Sequence, residues 1–158
     1  MFREVVRKKQ ALSKEECLAL LGQEVRGVLS VAGDDGYPYG MPINYWMDPE
    51  TGFLYFHTGR KGHRPDALAR CDKVSFCVYD SGVRKEGDWA LTFRSVIVFG
   101  RVHEVADREE AIEITRKLSR RFIQDEAYIE EEIRTAGARV QVLVLEPEHI
   151  TGKTVHEA

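Results

Sequence analysis

Turn punctuation constrains this chain most. Between Val25 and His57 two turn clusters, Gly33-Asp34-Asp35-Gly36 and Asp48-Pro49-Glu50-Thr51-Gly52, cut a β-rich stretch into three short runs. Glycine reaches backbone angles closed to other residues, and aspartate bonds its own backbone two residues on, so both clusters reverse the chain. Runs 25–32, 37–47 and 53–57 therefore read as successive strands of an antiparallel sheet. Pro38 and Pro42 fall inside the second run. Proline gives a ladder no donor, so this strand is expected to be irregular around Pro42.

The rest of the chain extends the pattern. Residues 73–80 and 89–105 are β-rich, the second broken at Gly100. Residues 139–146 alternate, with Val140, Val142 and Val144 on one side and Gln141, Leu143 and Leu145 on the other. Pro147 is expected to stop that strand and leave a polar tail to Ala158. Ser13-Lys14-Glu15-Glu16 fits a capping box, in which serine takes an orphan amide and glutamate reaches back; a helix is expected over 13–23. Pro65 suits the first turn of a short helix over 66–70. Ile112, Thr115, Leu118 and Phe122 recur at helical spacing behind Asp107, giving a helix over 108–123, and a second piece covers 125–135. Residues 81–88 are polar and read as a loop. The result is an α+β chain, mainly antiparallel β with peripheral helices.

Bulk properties narrow the function classes. At 158 residues, the chain is read as one domain spanning 1–158. Its formal charge of -3 leaves no basic footprint for nucleic acid. No apolar run approaches the roughly 20 residues of a membrane helix, and Met1 to Gln10 is charged, so a cytoplasmic location is expected. Three cysteines, Cys17, Cys71 and Cys77, do not make a disulfide framework. Cys77, inside an apolar run, is expected to be a small buried hydrophobe. His57 and His63 lack a third ligand at a recognisable spacing, so no metal is assigned.

The stretch Phe53-Leu54-Tyr55-Phe56-His57-Thr58-Gly59-Arg60-Lys61-Gly62-His63-Arg64 carries the chemistry. An apolar strand runs into a basic loop whose flanking glycines let backbone amides approach a ligand. A helix start follows, adding positive dipole character. Guanidinium, ammonium and free amides together suit a phosphate; a solvated basic turn is the alternative.

This strand, loop, helix and strand unit resembles the pyridoxamine-phosphate-oxidase-like split barrels, at the segment that holds FMN phosphate. Gly62-His63, the upstream Gly36-Tyr37-Pro38-Tyr39-Gly40 with Pro42-Ile43-Asn44-Tyr45, and Thr151-Gly152-Lys153 near the end resemble the nitroimidazole-resistance branch. The resemblance covers about residues 10–150. It implies an FMN-binding split β-barrel working as a homodimer, with the cofactor site at the interface. It also implies site residues. Arg60, Lys61, Gly62 and His63 meet the phosphate, His57 and Thr58 lie along the ribityl chain or ring edge, and Met41, Pro42, Ile43, Asn44 and Tyr45 run beside the isoalloxazine. Arg94, Ser95 and Val96 come from the partner strand, and Trp89 is positioned to cover the ring. The Arg-x-His tail motif of authentic pyridoxamine phosphate oxidases is absent.

On this reading the chain is an FMN-dependent reductase of small electrophiles such as nitroaromatics. No G-x-G-x-x-G element holds a nicotinamide donor, which would then bind transiently. His57 is the candidate proton donor, since an ordinary histidine titrates near pH 6.5. Two alternatives stand beside this: FMN storage or sensing without turnover, and the same barrel holding haem or a deazaflavin.

Overall fold

The computed structural model describes residues 1–157. Helix α1 (Lys14–Gln23) precedes β1 (Arg26–Ala32), β2 (Pro38–Asn44), the two-residue β3 (Trp46–Met47) and β4 (Leu54–Gly59). Helix α2 (His63–Arg70) leads into β5 (Lys73–Tyr79), the short β6 (Val83–Arg84) and the long β7 (Leu91–Glu104). Helices α3 (Arg108–Ser119) and α4 (Glu126–Ala136) then cross to β8 (Val140–His156). The strands form one sheet in the order β2-β1-β5-β7-β8-β4-β3, with β6 on β7. Every pairing in it is antiparallel. The sheet curls into a half-barrel, so that β2 and β4, far apart in strand order, face each other across a split. This is the α+β split barrel expected above.

One apolar core fills the concave side. Leu29 and Val31 of β1, Met41 and Ile43 of β2, Phe56 of β4 and Phe76 of β5 meet there with Leu20 and Leu21 of α1. Alternation does the sorting, because each strand sends every second side chain inward. On β8 both faces are covered. Leu143 and Leu145 join the main core, while Val142 and Val144 join Tyr55 and Ile114 in a second cluster beneath α3. Trp46 packs at the edge of that cluster, on Tyr55.

Local chemistry sets the ends of α1. Ser13 Oγ accepts from the Glu16 amide at 3.1 Å and Glu16 returns the bond to the Ser13 amide at 2.7 Å. Tyr45 then locks β2 to this helix. Its buried hydroxyl donates to the Leu21 carbonyl at 2.5 Å, and burial pushes its pKa upward.

Several expectations need correction. Pro42 causes no irregularity: β2 pairs with β1 in unbroken register from Arg26↔Asn44 to Ala32↔Pro38. As the outermost strand of the sheet, β2 can do without proline's missing amide. The second run breaks at Tyr45 instead, between β2 and β3. Strand β7 does not end at Gly100, and Pro147 does not stop β8. Gly100 pairs with Pro147 and Phe99 with His149, so Glu148 bulges out and both strands continue. A bulge removes the need for a ladder donor, which is why proline fits there. The expected polar tail is therefore strand up to His156; Ala158 lies outside the described residues. The loop 81–88 contains β6, paired at Val83↔Thr92 and Arg84↔Leu91. Helix α3 stops at Ser119 and finishes as a turn through Ile123. Cys77 is only half-buried, on the convex side of β5; the buried cysteine is Cys17.

Candidate functional site

Strand β4 delivers Thr58 to the split with its side chain inward. The chain then turns outward through Gly59, Arg60 and Lys61. Gly62 sits at φ 118, in the region that favours glycine, with nothing within 4 Å of the place a Cβ would occupy. That turn starts α2 at His63, three residues before Asp66, where the helix was expected. The earlier start places His63 and Arg64 on the first helical turn, ahead of Pro65.

Arg64 closes the basic stretch singled out in the sequence, but the resemblance gives it no role. Its guanidinium reaches back over the split, with Nη2 donating to Thr58 Oγ1 on β4 and Nη1 lying 3.9 Å from Met41 Sδ on β2. Its Nε is buried and has no partner. Burial holds its pKa below the ordinary arginine value, only partly opposed by Tyr39. Among the described residues no carboxylate pairs with it. By contrast Arg70, Arg94, Arg101, Arg116, Arg120 and Arg134 each hold an acid at 2.6–2.9 Å. A half-buried cation without an anion is costly, so the arrangement suits an external anion.

His63 adds to the same corner. Its ring stacks on Tyr39 at 4.1 Å, and its buried Nε2 makes no hydrogen bond. The nearest acid, Asp34, has Oδ2 at 3.6 Å from it and accepts from Arg70 through Oδ1 at 2.6 Å. Thr58, Lys61, Gly62, His63 and Arg64 thus frame one end of the split. Arg60 does not join them. It turns outward to Glu104 at 2.9 Å. The hydrogen bond from Gln141, then the pairing with Arg60, hold the Glu104 carboxyl below the usual range against the opposing effect of burial. Lys61 is exposed and outside every ion pair among the described residues.

Further along the split, alternation divides the β2 segment. Met41, Ile43 and Tyr45 point into the core, whereas Pro42 and Asn44 point away. Only Pro42 and Asn44, with the strand's backbone, are open to a ligand on the outer side. Asn44 Oδ1 accepts from Arg26 Nε at 2.7 Å, leaving its amide group as a donor. His57 lies opposite, on the outer side of β4, where it and Asn44 border a cavity of about 190 Å³ against Leu118, Phe122 and Tyr128. Desolvation lowers the His57 pKa, favouring the neutral ring.

The expected partner-strand residues do not meet this group within one chain. Strand β7 is separated from β4 by β8, and from β2 by β1 and β5. Arg94 is bound to Asp80 through both its amide and its guanidinium, each at 2.9 Å. Val96 is buried in the core, and Ser95 faces outward beside Lys153. Trp89 is exposed.

Comparison with known proteins gives a consistent fold. A family model described as pyridoxamine 5'-phosphate oxidase matches residues 13–154. Among solved structures, a proposed 5-nitroimidazole antibiotic resistance protein of Bacteroides thetaiotaomicron is 19% identical. It covers 92% of this chain and 87% of its own, with a TM-score of 0.74. A conserved hypothetical protein of Mycobacterium tuberculosis is 17% identical over 96% of this chain and 90% of its own, with a TM-score of 0.76. An FAD-binding protein of Mesorhizobium loti is 22% identical over 92% of this chain and 97% of its own, with a TM-score of 0.66. No curated protein matches the chain.

Proposed function

The chain belongs to the pyridoxamine 5'-phosphate oxidase family, and from that premise we propose that it binds FMN as a homodimer and reduces small electrophiles such as nitroaromatics. The observation that carries this reading is Arg64, a half-buried guanidinium with an orphaned Nε and no carboxylate partner. A phosphate monoester accepts from several donors at once and supplies the missing charge. Thr58 and Arg64 would hold it, with His63 Nε2, which makes no hydrogen bond, and the exposed Lys61 beside them, at the N-terminus of α2. Asn44, Pro42 and His57 would border the rest of the flavin along the split. The flavin supplies the two-electron chemistry when bound; the protein orients it and controls access. His57 and Asn44 border the same cavity; the lowered His57 pKa favours the neutral ring, which would accept a hydrogen bond from a substrate, while only the protonated form would hand on a proton. The shallow groove beside it leaves room for a small planar substrate.

The dimer has its own support. On the convex side, Gly40, Ser30 and Ser75 stand in one row across the sheet, and Pro42, Val28 and Cys77 in the next. This patch is uncharged and small-featured, with the exposed Tyr79 at its margin. Such a face suits packing against a second sheet. A partner copy would also bring Arg94, Ser95 and Trp89 toward the split, which one chain cannot do.

The test is the visible spectrum of the purified protein, with mass spectrometry of the ligand that heat releases. Flavin bands and the mass of FMN are expected, followed by oxidation of a nicotinamide donor when a nitroaromatic is added. A colourless protein that refuses added FMN overturns the cofactor assignment. Bound FMN with no flavin reduction by any donor would instead make this a storage or sensing protein.

A further inference from the structure

The turn joining α3 to α4 carries the outer wall of the His57 cavity, and it is pinned from behind. Arg121 Nη2 donates to the Gly22, Gln23 and Glu24 carbonyls at 3.1, 3.3 and 2.8 Å, and the Tyr45 hydroxyl donates to Leu21. These carbonyls end α1, where the helix has no further amides to offer them. Arg121 thereby ties its neighbour Phe122 to the body of the protein. Beneath the wall Leu118 and Ile129 are buried, while Phe122 and Tyr128 at its face are 46% and 53% exposed. Tyr128 and Glu132 stand four residues apart on α4 and so share one side of it. Together with Asn44 and His57 they line the cavity of about 190 Å³, room for one ring with a short side group.

Glu132 is the one acid among the lining residues, and no lysine or arginine lines the cavity. The other acids of α4 are neutralised: Glu126 by Arg120 at 2.8 Å, Glu130 by Arg116 at 2.6 Å and Glu131 by Arg134 at 2.6 Å. Among the described residues Glu132 has no such partner. The cations on neighbouring elements are engaged elsewhere. Arg121 holds the end of α1, Arg26 donates to Asn44 Oδ1 at 2.7 Å, and Lys117 lies 4.9 Å over the Trp46 ring. Two half-exposed aromatic rings beside a free carboxylate attract a ring that carries positive charge.

We infer that this wall selects the substrate: an aromatic ring with a cationic side group is preferred, a neutral ring comes next and an anionic one last, with Glu132 setting the order. For the reaction the inference rests on the reductase reading; for binding it rests on the cavity alone. The cavity is opposite in charge to the corner at Arg64, so an anionic group that suits the one is turned away by the other.

The experiment compares 4-nitrophenethylamine, 4-nitrophenethyl alcohol and 4-nitrophenylacetate, which share a ring and a nitro group and differ in charge. With a nicotinamide donor and the flavin-loaded protein, kcat/KM is expected to fall about threefold at each step, the scale of one exposed ion pair, and so about tenfold from amine to carboxylate. Glu132→Gln should bring the amine-to-carboxylate ratio close to one, and Glu132→Lys should reverse it. Glu131→Gln removes the same charge one residue away, outside the cavity, and should keep the wild-type ratio. A ratio near one in the wild-type protein, or one that survives in Glu132→Gln, overturns the inference and leaves the reductase reading standing. If none of the three compounds is reduced, the reductase reading fails and binding decides the selectivity. Phenethylamine, which cannot be reduced, should then still shift the Leu118 and Ile129 methyl resonances saturably, and about threefold more weakly in Glu132→Gln. No saturable shift, or equal binding in the two proteins, overturns the inference there as well.

Discussion

Arg64 illustrates a side chain whose placement costs the fold and serves a ligand. Its Nε is buried without a partner, and its only bonds reach a hydroxyl and a sulfur. Removing such a charge costs the fold little and can stabilise it, because the desolvation penalty goes with it. Arg64→Met is therefore expected to weaken FMN binding by about 1.5–3 kcal/mol, the range for a hydrogen bond to a charged group, while urea stability holds or rises. Arg60→Ala, which removes the exposed pair with Glu104 and a long bond to the Val140 carbonyl, should change FMN affinity far less. Equal losses from the two variants, in a fluorescence titration, would contradict the assignment. The basic stretch itself was legible in the sequence, but its division of labour was not. That division depends on α2 starting at His63, which turns Arg64 inward and leaves Arg60 outside. His57 offers a second test. Its folded pKa lies below the ordinary value, so below about pH 6.5 the unfolded chain takes up the proton first and stability falls as pH falls. His57→Gln should remove that part of the acid-side loss, read from urea midpoints of the two proteins across pH 5 to 8; superimposable profiles would refute it.

At the level of elements, the sequence marked strands well wherever a turn cluster bounded them, and poorly where a bulge carried a strand through a breaker. Gly100 and Pro147 each look like ends. Together they make one bulge, and the two strands run on for several more pairs to Thr92↔His156. Neither residue reveals this alone, since the signal lies in their pairing across the sheet. Gly100 is required because a Cβ there would collide with the Glu146 carbonyl and crowd Leu145. Gly100→Ala should therefore cost about 3 kcal/mol, the upper end for overpacking, because the obstacle is backbone. A thermal midpoint unchanged in this variant would mean the ribbon is looser than described. The capping box of α1, by contrast, was written in four consecutive residues and needed no tertiary context. Ser13→Ala should cost about 1 kcal/mol in a urea titration.

At the scale of the whole molecule, the half-barrel leaves two surfaces unfinished. The split lacks the residues that β7 was expected to bring, and the convex face of β1 and β5 lacks a cover. One second copy would complete both. The sequence showed these strands only as apolar runs with interspersed serines, because convex and concave residues alternate along them and burial alone tells them apart. A charge at the centre of the convex face tests the proposal without touching the core. Cys77 is half-buried there, between Val28 and Ile97 in register, with its side chain away from Phe76 and the concave packing. Cys77→Arg would bury a guanidinium from each copy in the proposed interface, a desolvation cost of several kcal/mol per ion. The variant should sediment as a monomer of about half the wild-type mass, keep its far-ultraviolet circular dichroism, and bind FMN at least about tenfold more weakly, since each site would lose the partner's contribution. Wild-type protein that already sediments as a monomer removes the dimer. A monomeric variant with undiminished FMN affinity keeps the dimer but confines the flavin to the residues of one chain.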